Sequence, residues 1–238
     1  MRRYTARMNL LAIDTATESC SAAALAGERL VARSELAPRR HGELLLPMCE
    51  EVLAEAGLRR HDLDAIAVGC GPGAFTGVRL AISAAQGIAL ALDIPVVPVS
   101  SLAALAMQAP ANGGPILAVI DARMGEIYAG QFRRTEHGLV EPIAAETVGP
   151  VDALPRLDDD AWNVIGSGWA GYRDALLARM ISPPRWHDGE RYPQAIDVAR
   201  LAVARMRAGL AVAAEDALPV YLRDKVALTL AEQGKQRG

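Results

Sequence analysis

Apolar positions fall into short runs before they fall into any longer pattern. Asn9 to Asp14 is one run and Cys20 to Leu25 another, and Arg29 to Leu36 alternates Leu30, Ala32 and Ser34 against Val31, Arg33 and Glu35. Turn residues at Ala16-Thr17-Glu18-Ser19 and Ala26-Gly27-Glu28 separate the three, which predicts a meander of three strands. A helix is expected from about Gly42 to Ala56 and a buried strand from Asp64 to Val68. Next comes the glycine-rich turn Gly69-Cys70-Gly71-Pro72-Gly73, then a helix with Thr76 as N-cap that runs to Leu92. The strand Pro95 to Val99 and the helix Leu102 to Met107 complete a βββαβαβα order. Beyond the linker Ala109 to Pro115, strands are expected at Ile116 to Asp121, Glu126 to Phe132, Leu139 to Glu146 and Trp162 to Ile165. Val151 to Leu154 reads as a helical turn, and Tyr172 to Met180 and Ala195 to Arg207 as helices.

This second half repeats the first in shorter form. Ala12-Ile13-Asp14 opens one half and Val119-Ile120-Asp121 the other, each followed by a turn and an apolar strand. A doubled βββαβα unit describes an α/β protein with the duplicated actin-like (ribonuclease H-like, ASKHA) fold. It has two lobes on mixed five-stranded sheets, the second reduced. The expected division is residues 9–108 for the first lobe, with 215–233 returning to it, and 109–214 for the second.

Two helices carry more apolar surface than a single sheet needs. In the first, Leu44, Leu45, Leu46, Met48, Cys49, Val52, Leu53 and Ala56 span about twice the roughly 100° stripe that one contact requires, with Glu43, Glu50, Glu51 and Glu55 on the remaining arc. Either a second partner covers the excess or the helix is wedged between two elements of its own domain; periodicity fits both. Pro47 fits if the helix begins a few residues earlier. From Val78 to Leu92 the second helix has one charge, Arg79, and Ala81, Ser83, Ala84, Ala85, Gly87, Ala89 and Ala91 let other backbones come close.

Composition narrows the reading further. With 51% hydrophobic and 22% charged residues the chain is not disordered, and a net charge of -3 offers no general attraction to a polyanion, so strong unaided RNA binding is not expected. Cys20, Cys49 and Cys70 are odd in number and set in apolar stretches, as reduced buried thiols of a cytoplasmic protein would be. Apart from the 78–92 helix no run approaches a membrane span, and the basic start Met1 to Arg7 precedes no signal-type apolar region, so folded sequence is expected from Met8 or Asn9.

Candidate chemistry is sparse. His41, His61, His137 and His187 form no i, i+4 pair, there is no Gly-x-Ser-x-Gly nucleophile turn, and no metal site is expected. Asp14-Thr15-Ala16-Thr17 is similar to the first phosphate loop of actin-like ATPases, but Ala16 stands where a glycine would admit a phosphate. Gly166-Ser167-Gly168-Trp169-Ala170-Gly171 matches Gly-x-Gly-x-x-Gly formally, yet Ile181 to Trp186 makes a poor following strand, so a structural turn is the expectation. Asp14, Thr15, Asp121, Gly166 and Gly168 are the residues a nucleotide would approach.

Five segments together carry a family resemblance: Leu10 through Glu18, His41 through Met48, Gly71-Pro72-Gly73-Ala74-Phe75-Thr76-Gly77-Val78-Arg79, Ile120-Asp121-Ala122-Arg123-Met124-Gly125-Glu126-Ile127-Tyr128, and Pro219-Val220-Tyr221-Leu222-Arg223. In order, from about Asn9 to Arg223, they closely resemble the bacterial TsaB (YeaZ) family. The resemblance implies a subunit of the complex that places threonylcarbamoyl on N6 of the adenosine next to the anticodon of ANN-decoding tRNAs. It implies the catalytic paralogue TsaD and the ATPase TsaE as partners, a homodimer when alone, and tRNA met only through the complex. Such a subunit is cytoplasmic, touches no membrane and holds no cofactor firmly, with ATP or ADP only at the partner interface. Pairing through the two apolar helices would use His41, Leu44, Leu45, Met48, Cys49, Val52, Leu53, Ala56, Thr76, Val78, Arg79 and Ile82. The paralogue's His-x-x-x-His metal pair falls here on Ser101 and Leu105, which cannot serve as imidazole ligands, so the role implied is a non-catalytic scaffold. The rival expectation is an autonomous ATP-dependent kinase or carbamoyl transferase in which Asp14 and Asp121 organise a metal across an interlobe cleft.

Overall fold

A computed structural model describes residues 8–159 and 161–223. The first half comprises β1 (Asn9–Asp14), β2 (Ser19–Ala26), β3 (Arg29–Leu36), α1 (His41–Ala56), β4 (Ala65–Gly69), α2 (Phe75–Leu92), β5 (Val96–Val99) and α3 (Ser101–Ala106). The second comprises β6 (Ile116–Arg123), β7 (Glu126–Arg134), β8 (Val140–Pro142), β9 (Thr147–Pro150), β10 (Asn163–Ile165), α4 (Ser167–Leu177), β11 (Trp186–Asp188) and α5 (Ala195–Arg207).

One sheet runs β3-β2-β1-β4-β5 and the other β8-β7-β6-β10-β11, so the duplication read from the chain is present strand for strand. In both, the first two neighbours are antiparallel and the last two parallel. The second sheet gains a sixth strand, because β9 pairs with β7 along residues 126–129, beyond the stretch of β7 that β8 covers. Between β8 and β10 only the single turn Val151–Ala153 occupies the place α1 holds in the first half. That is how the second lobe is reduced.

Strand alternation assigns the layers. On β1, Leu10 and Ala12 face one way and Leu11 and Ile13 the other; on β6, Ile116, Ala118 and Ile120 oppose Leu117 and Val119. The first set from each sheet meets in one core with α3 and α5 between the sheets. Leu11 and Ile13 lie under α1 and α2, while Leu117 and Val119 lie under α4. The molecule is therefore five layers deep: α1 and α2, sheet, α3 and α5, sheet, α4. Although α2 is long and apolar enough to cross a membrane, Gly77, Val78, Ala81, Ile82, Ala85 and Ala89 bury against the first sheet.

Four expectations are corrected. Helix α5 was grouped with the second half, but Val198, Ala199, Leu201, Ala202 and Met206 close the inner face of the first sheet, and Ser21 Oγ on β2 accepts the Ala195 amide at 2.9 Å. The strand expected over Leu139 to Glu146 stops at Pro142, one further bond from the Ile143 amide to Gln131 O at 2.9 Å following it, and pairing with β7 resumes as β9. Helix α4 starts at Ser167, five residues early, because Tyr172 takes φ -133° and ψ 29° and the helix kinks there without ending. Strand β11, missed in the sequence, pairs parallel with β10 after Pro183-Pro184, which precede the strand and do not interrupt it. The returning C-terminal stretch runs along the first lobe as far as described: Val212 bridges Val96, the Ala217 carbonyl accepts from Gln86 at 3.2 Å, and the Val220 amide donates to Cys70 O at 2.9 Å. Residues 224–233 lie outside the described residues.

The α4 turn yields a test of close approach. Gly166 holds φ +108°, and a Cβ there would lie 2.3 Å from the Val119 carbonyl oxygen. Gly166→Ala is expected to lower stability in urea unfolding by about 2 kcal/mol or more.

Candidate partner surface and interlobe cleft

The glycine-rich turn joins β4 to α2 and seals what lies behind it. Gly73 and Gly77 approach the β1–β2 turn so closely that a Cβ would stand 2.3 Å from Ala16 O and 2.0 Å from Thr15 O. The Ala74 amide donates to Ala16 O at 2.7 Å, and Thr15 Oγ1 donates to Gly77 O at 2.7 Å. These glycines admit a helix to a turn; the backbone they expose is already filled. The N-cap of α2 is accordingly Ala74, not Thr76, which sits exposed in the first turn.

Asp14 ends up behind that seal, 0% exposed. Its Oδ1 accepts the Ala16 amide at 2.9 Å and its Oδ2 accepts the Ser101 hydroxyl at 3.2 Å. Burial pushes its pKa from the usual 3.8 to about 6, against the lowering effect of those two hydrogen bonds. Ser101 and Leu105 are both fully buried, so the positions compared above with a histidine pair hold a donor to Asp14 and a core side chain. Thr15 is equally buried, and Gly166 and Gly168 press on Val119. Of the five residues expected near a nucleotide, only Asp121 lines the cleft between the lobes. Asp14 and Thr15 are shut in because the Ala16 turn folds under α2, where the phosphate-loop reading leaves it open, and Gly166 and Gly168 because they pack against Val119. Burial likewise raises the pKa of Cys20 to about 11 and of Cys49 and Cys70 to about 12, so all three are protonated thiols.

The cleft is a cavity of about 240 Å³ walled by the Ala16–Glu18 turn, the start of α2, the end of β6 and residues 220–223. Arg123 lies at its wall, donating to Glu18 of the first lobe at 2.8 Å and to Asp121 of its own strand at 3.0 Å. Tyr172 donates its hydroxyl to Asp121 at 3.2 Å. Arg123, Met124 and Gly125 all take positive φ, at 63°, 57° and 81°, which turns the β6–β7 hairpin tightly enough to bring Arg123 back over the cleft. Arg223 ties the C-terminal stretch to the same hairpin through Ala122 O at 3.2 Å and the Glu126 carboxylate. On the first lobe, the Arg79 guanidinium lies 3.1 Å from the Phe75 ring centre and 4.9 Å from that of Tyr221.

A second concavity, of about 760 Å³, runs between α1 and α2 on the outer face. Leu46, Pro47, Gly87, Ile88, Ala91 and Leu92 line it, with Cys49 and Leu53 at its floor. Leu46 is 55% exposed and Leu90, on the same half of α2, 63%. The apolar excess on α1 thus divides between two jobs. Leu45, Met48, Cys49, Val52, Leu53 and Ala56, with Val78 and Ile82 of α2, are buried in the chain's own core, where the expectation has them at a partner surface; of these, Cys49 and Leu53 reach the groove, at its floor. His41, Leu44, Thr76 and Arg79 keep partial or full exposure. Side chains absent from the expected set, Leu46, Pro47, Ser83, Gly87, Leu90 and Ala91, form the open part. Two signals for them were present: Leu46 closes the apolar arc of α1, and Ser83, Gly87 and Ala91 repeat at four-residue spacing along one face of α2.

Two like-ordered sheets with helices between and outside them define a two-lobed actin-like protein. A family model described as "TsaD: tRNA N6-adenosine threonylcarbamoyltransferase" matches residues 33–229. The tRNA threonylcarbamoyladenosine biosynthesis protein TsaB of Escherichia coli (strain K12) is 39% identical over 231 residues, covering 92% of this chain and 96% of its own. Its namesake in Haemophilus influenzae is 35% identical over 229 residues, with 92% and 95% covered. The solved structure of YeaZ from Pseudomonas aeruginosa is 43% identical and superposes with a TM-score of 0.83 over 90% of this chain and 100% of that one. The chain belongs to the TsaB (YeaZ) family.

Asp14 makes stability depend on pH in a defined direction. With its folded pKa above the unfolded one, its contribution is complete below pH 3.8 and is lost as pH rises through about 6. That rise corresponds to about 3 kcal/mol at neutral pH. Asp14→Asn keeps the acceptor for Ala16 and is expected to gain up to about 3 kcal/mol over the parent at pH 7.5 but little at pH 4. Chemical denaturation of the two proteins at both pH values measures the difference.

Proposed function

We propose that this chain is a non-catalytic subunit in tRNA threonylcarbamoyladenosine formation, and that the outer face of α1 and α2 is where it holds a TsaD-type catalytic paralogue. Relatives named for that biosynthesis at 35–39% identity over most of the chain support the pathway. The observation that carries the partner role is the open groove between α1 and α2. Leucine and proline line it, and Ser83, Gly87 and Ala91 along one edge of α2 leave room for a neighbouring helix to come close. Large exposed apolar patches on a folded chain mark sites of association. In the absence of the paralogue, a second copy takes the same face. TsaE and tRNA are met through the assembled complex, not by the lone chain, whose net charge is -3.

Against the autonomous-enzyme reading stands Asp14, enclosed by Ala16, Ser101 and the start of α2, so that it cannot share a metal with Asp121 while the fold is intact. The inward turn of Ser101 supports the same conclusion, since a position that must reach a ligand cannot also be a core donor.

Calorimetric titration against the purified paralogue tests the surface. Leu46→Glu and Ala91→Glu each are expected to weaken association by about thirtyfold or more without lowering the melting temperature. Gly87→Ala meets nothing within 4 Å in the lone chain. It should therefore stabilise α2 by about 0.5–1 kcal/mol while weakening the pairing, a combination that a merely structural role for Gly87 does not produce. Unchanged affinity in all three variants would remove the α1–α2 face from the interface. Leu45→Glu or Val52→Glu would report on folding instead, because both side chains are core.

A further inference from the structure

We propose that the concavity where α5 meets the β2–β3 and β7–β8 hairpins binds a small monocarboxylate, an acid group carried on a single ring or a short alkyl chain. Leu25 and Leu30 wall it on one side and Leu139 on another, and Val203 and Ala204 of α5 complete it with Ala199. Its volume of about 330 Å³ falls at the small end of the roughly 300–1,000 Å³ of ligand pockets. Leu25 pairs with Leu10 at the start of β1, and Phe132, just before the β7–β8 hairpin, pairs with Ile116 at the start of β6. The concavity therefore lies at the other end of both sheets from the interlobe cleft, and it shares no residue with the α1–α2 groove.

Every titratable side chain on its wall is basic: Arg200, Arg207 and His137. In a chain with a net charge of -3 this is a local reversal of sign. Neighbouring acids do not cancel it. Glu28 and Glu136 are exposed and stand outside the wall, while Asp197, buried one turn back on α5, is already held by Arg200 at 2.8 Å. Arg200 uses one amine of its guanidinium there, and Arg207 has no hydrogen bond or ion pair among the described residues. The last carbonyls of α5, the end of the helix dipole that repels an anion, are taken by the amides of Ala208, Gly209 and Leu210.

Apolar wall and basic rim together define one ligand. A planar carboxylate accepts both arms of the Arg207 fork, in charge-assisted bonds stronger than neutral ones. The ring or chain attached to it covers Leu30, Leu139 and Val203, which the lone chain leaves half-buried. Neither part suffices alone. A bare anion gains only what an exposed ion pair gives in water, and an uncharged body leaves the Arg207 fork unused. The volume limits the body to one ring or a chain of similar bulk, and the absence of any acid from the wall excludes a cationic ligand.

Amide NMR titration of the full-length, nitrogen-15-labelled chain tests the proposal with 4-phenylbutyrate as probe. Two controls separate its parts: 4-phenylbutylamine carries the same ring on a cation, and acetate carries the acid without the ring. Saturable shifts are expected at Leu30, Leu139, Val203 and Ala204 with the probe and with neither control. Arg207→Gln keeps a hydrogen-bonding side chain but loses the charge, and should weaken binding about tenfold or more. Arg207→Glu, at an exposed position, should abolish binding with the melting temperature unchanged. Leu46→Glu should leave the titration as it is, so failure of the partner surface and failure of this site are told apart. Saturation by either control, shifts linear in concentration, saturable shifts confined to the interlobe cleft, or undiminished affinity in both Arg207 variants overturns the proposal.

Discussion

Direct contact between the first turn of α2 and the β1–β2 turn sets the rest of the molecule. With no side chain at Gly73 or Gly77, helix backbone meets the carbonyls of Ala16 and Thr15, a separation no other residue type permits. Three consequences follow from that single approach. Asp14 is shut away from solvent, the start of α2 is held at the edge of the interlobe cleft, and the far half of α2 faces α1 across a groove.

The duplicated architecture makes the divergence of the two halves easy to follow. Asp14 and Asp121 end equivalent strands, β1 and β6, in sheets of the same order. In the first half the carboxylate turns inward to Ser101; in the second, Ser167 accepts the Asp121 amide at 3.1 Å, and the carboxylate stays half-exposed between Tyr172 and Arg123. One ancestral arrangement thus gave a buried acid whose charge burial disfavours and an outer acid held by a cation. The lobes are joined by far more than these contacts, since α3 and α5 share a core with both sheets. Exposed ion pairs such as Arg123–Glu18 contribute roughly 0–1 kcal/mol, so Arg123 positions the hairpin without holding the lobes together.

Helix α1 shows how one element serves two surfaces. Its core face covers Leu11, Ile13 and Cys20, while Leu46 and Pro47 project from the next quarter-turn toward α2. Burial inside the chain and availability to a partner are mutually exclusive for each side chain, and a wide apolar arc is what allows a helix to have both.

Period-two and period-3.6 patterns determined the order of elements in the first half and the existence of α1, α2, α3 and α5, because each buries a continuous apolar face that the sequence must spell out. The motif around Gly71 to Arg79, with its companions, also determined the family. Tertiary structure decided what local pattern does not encode. It put α5 on the first sheet, recruited the three-residue β11, and kinked α4 at Tyr172 without ending it. It also divided the α1 arc, giving Leu45 and Val52 to the core and Leu46 to the surface, and it hid Asp14 while leaving Asp121 open. The physical reason is common to all of these: periodicity reports that a face is apolar, whereas which neighbour covers it depends on how closely distant backbones come together, and here glycines without side chains set that distance.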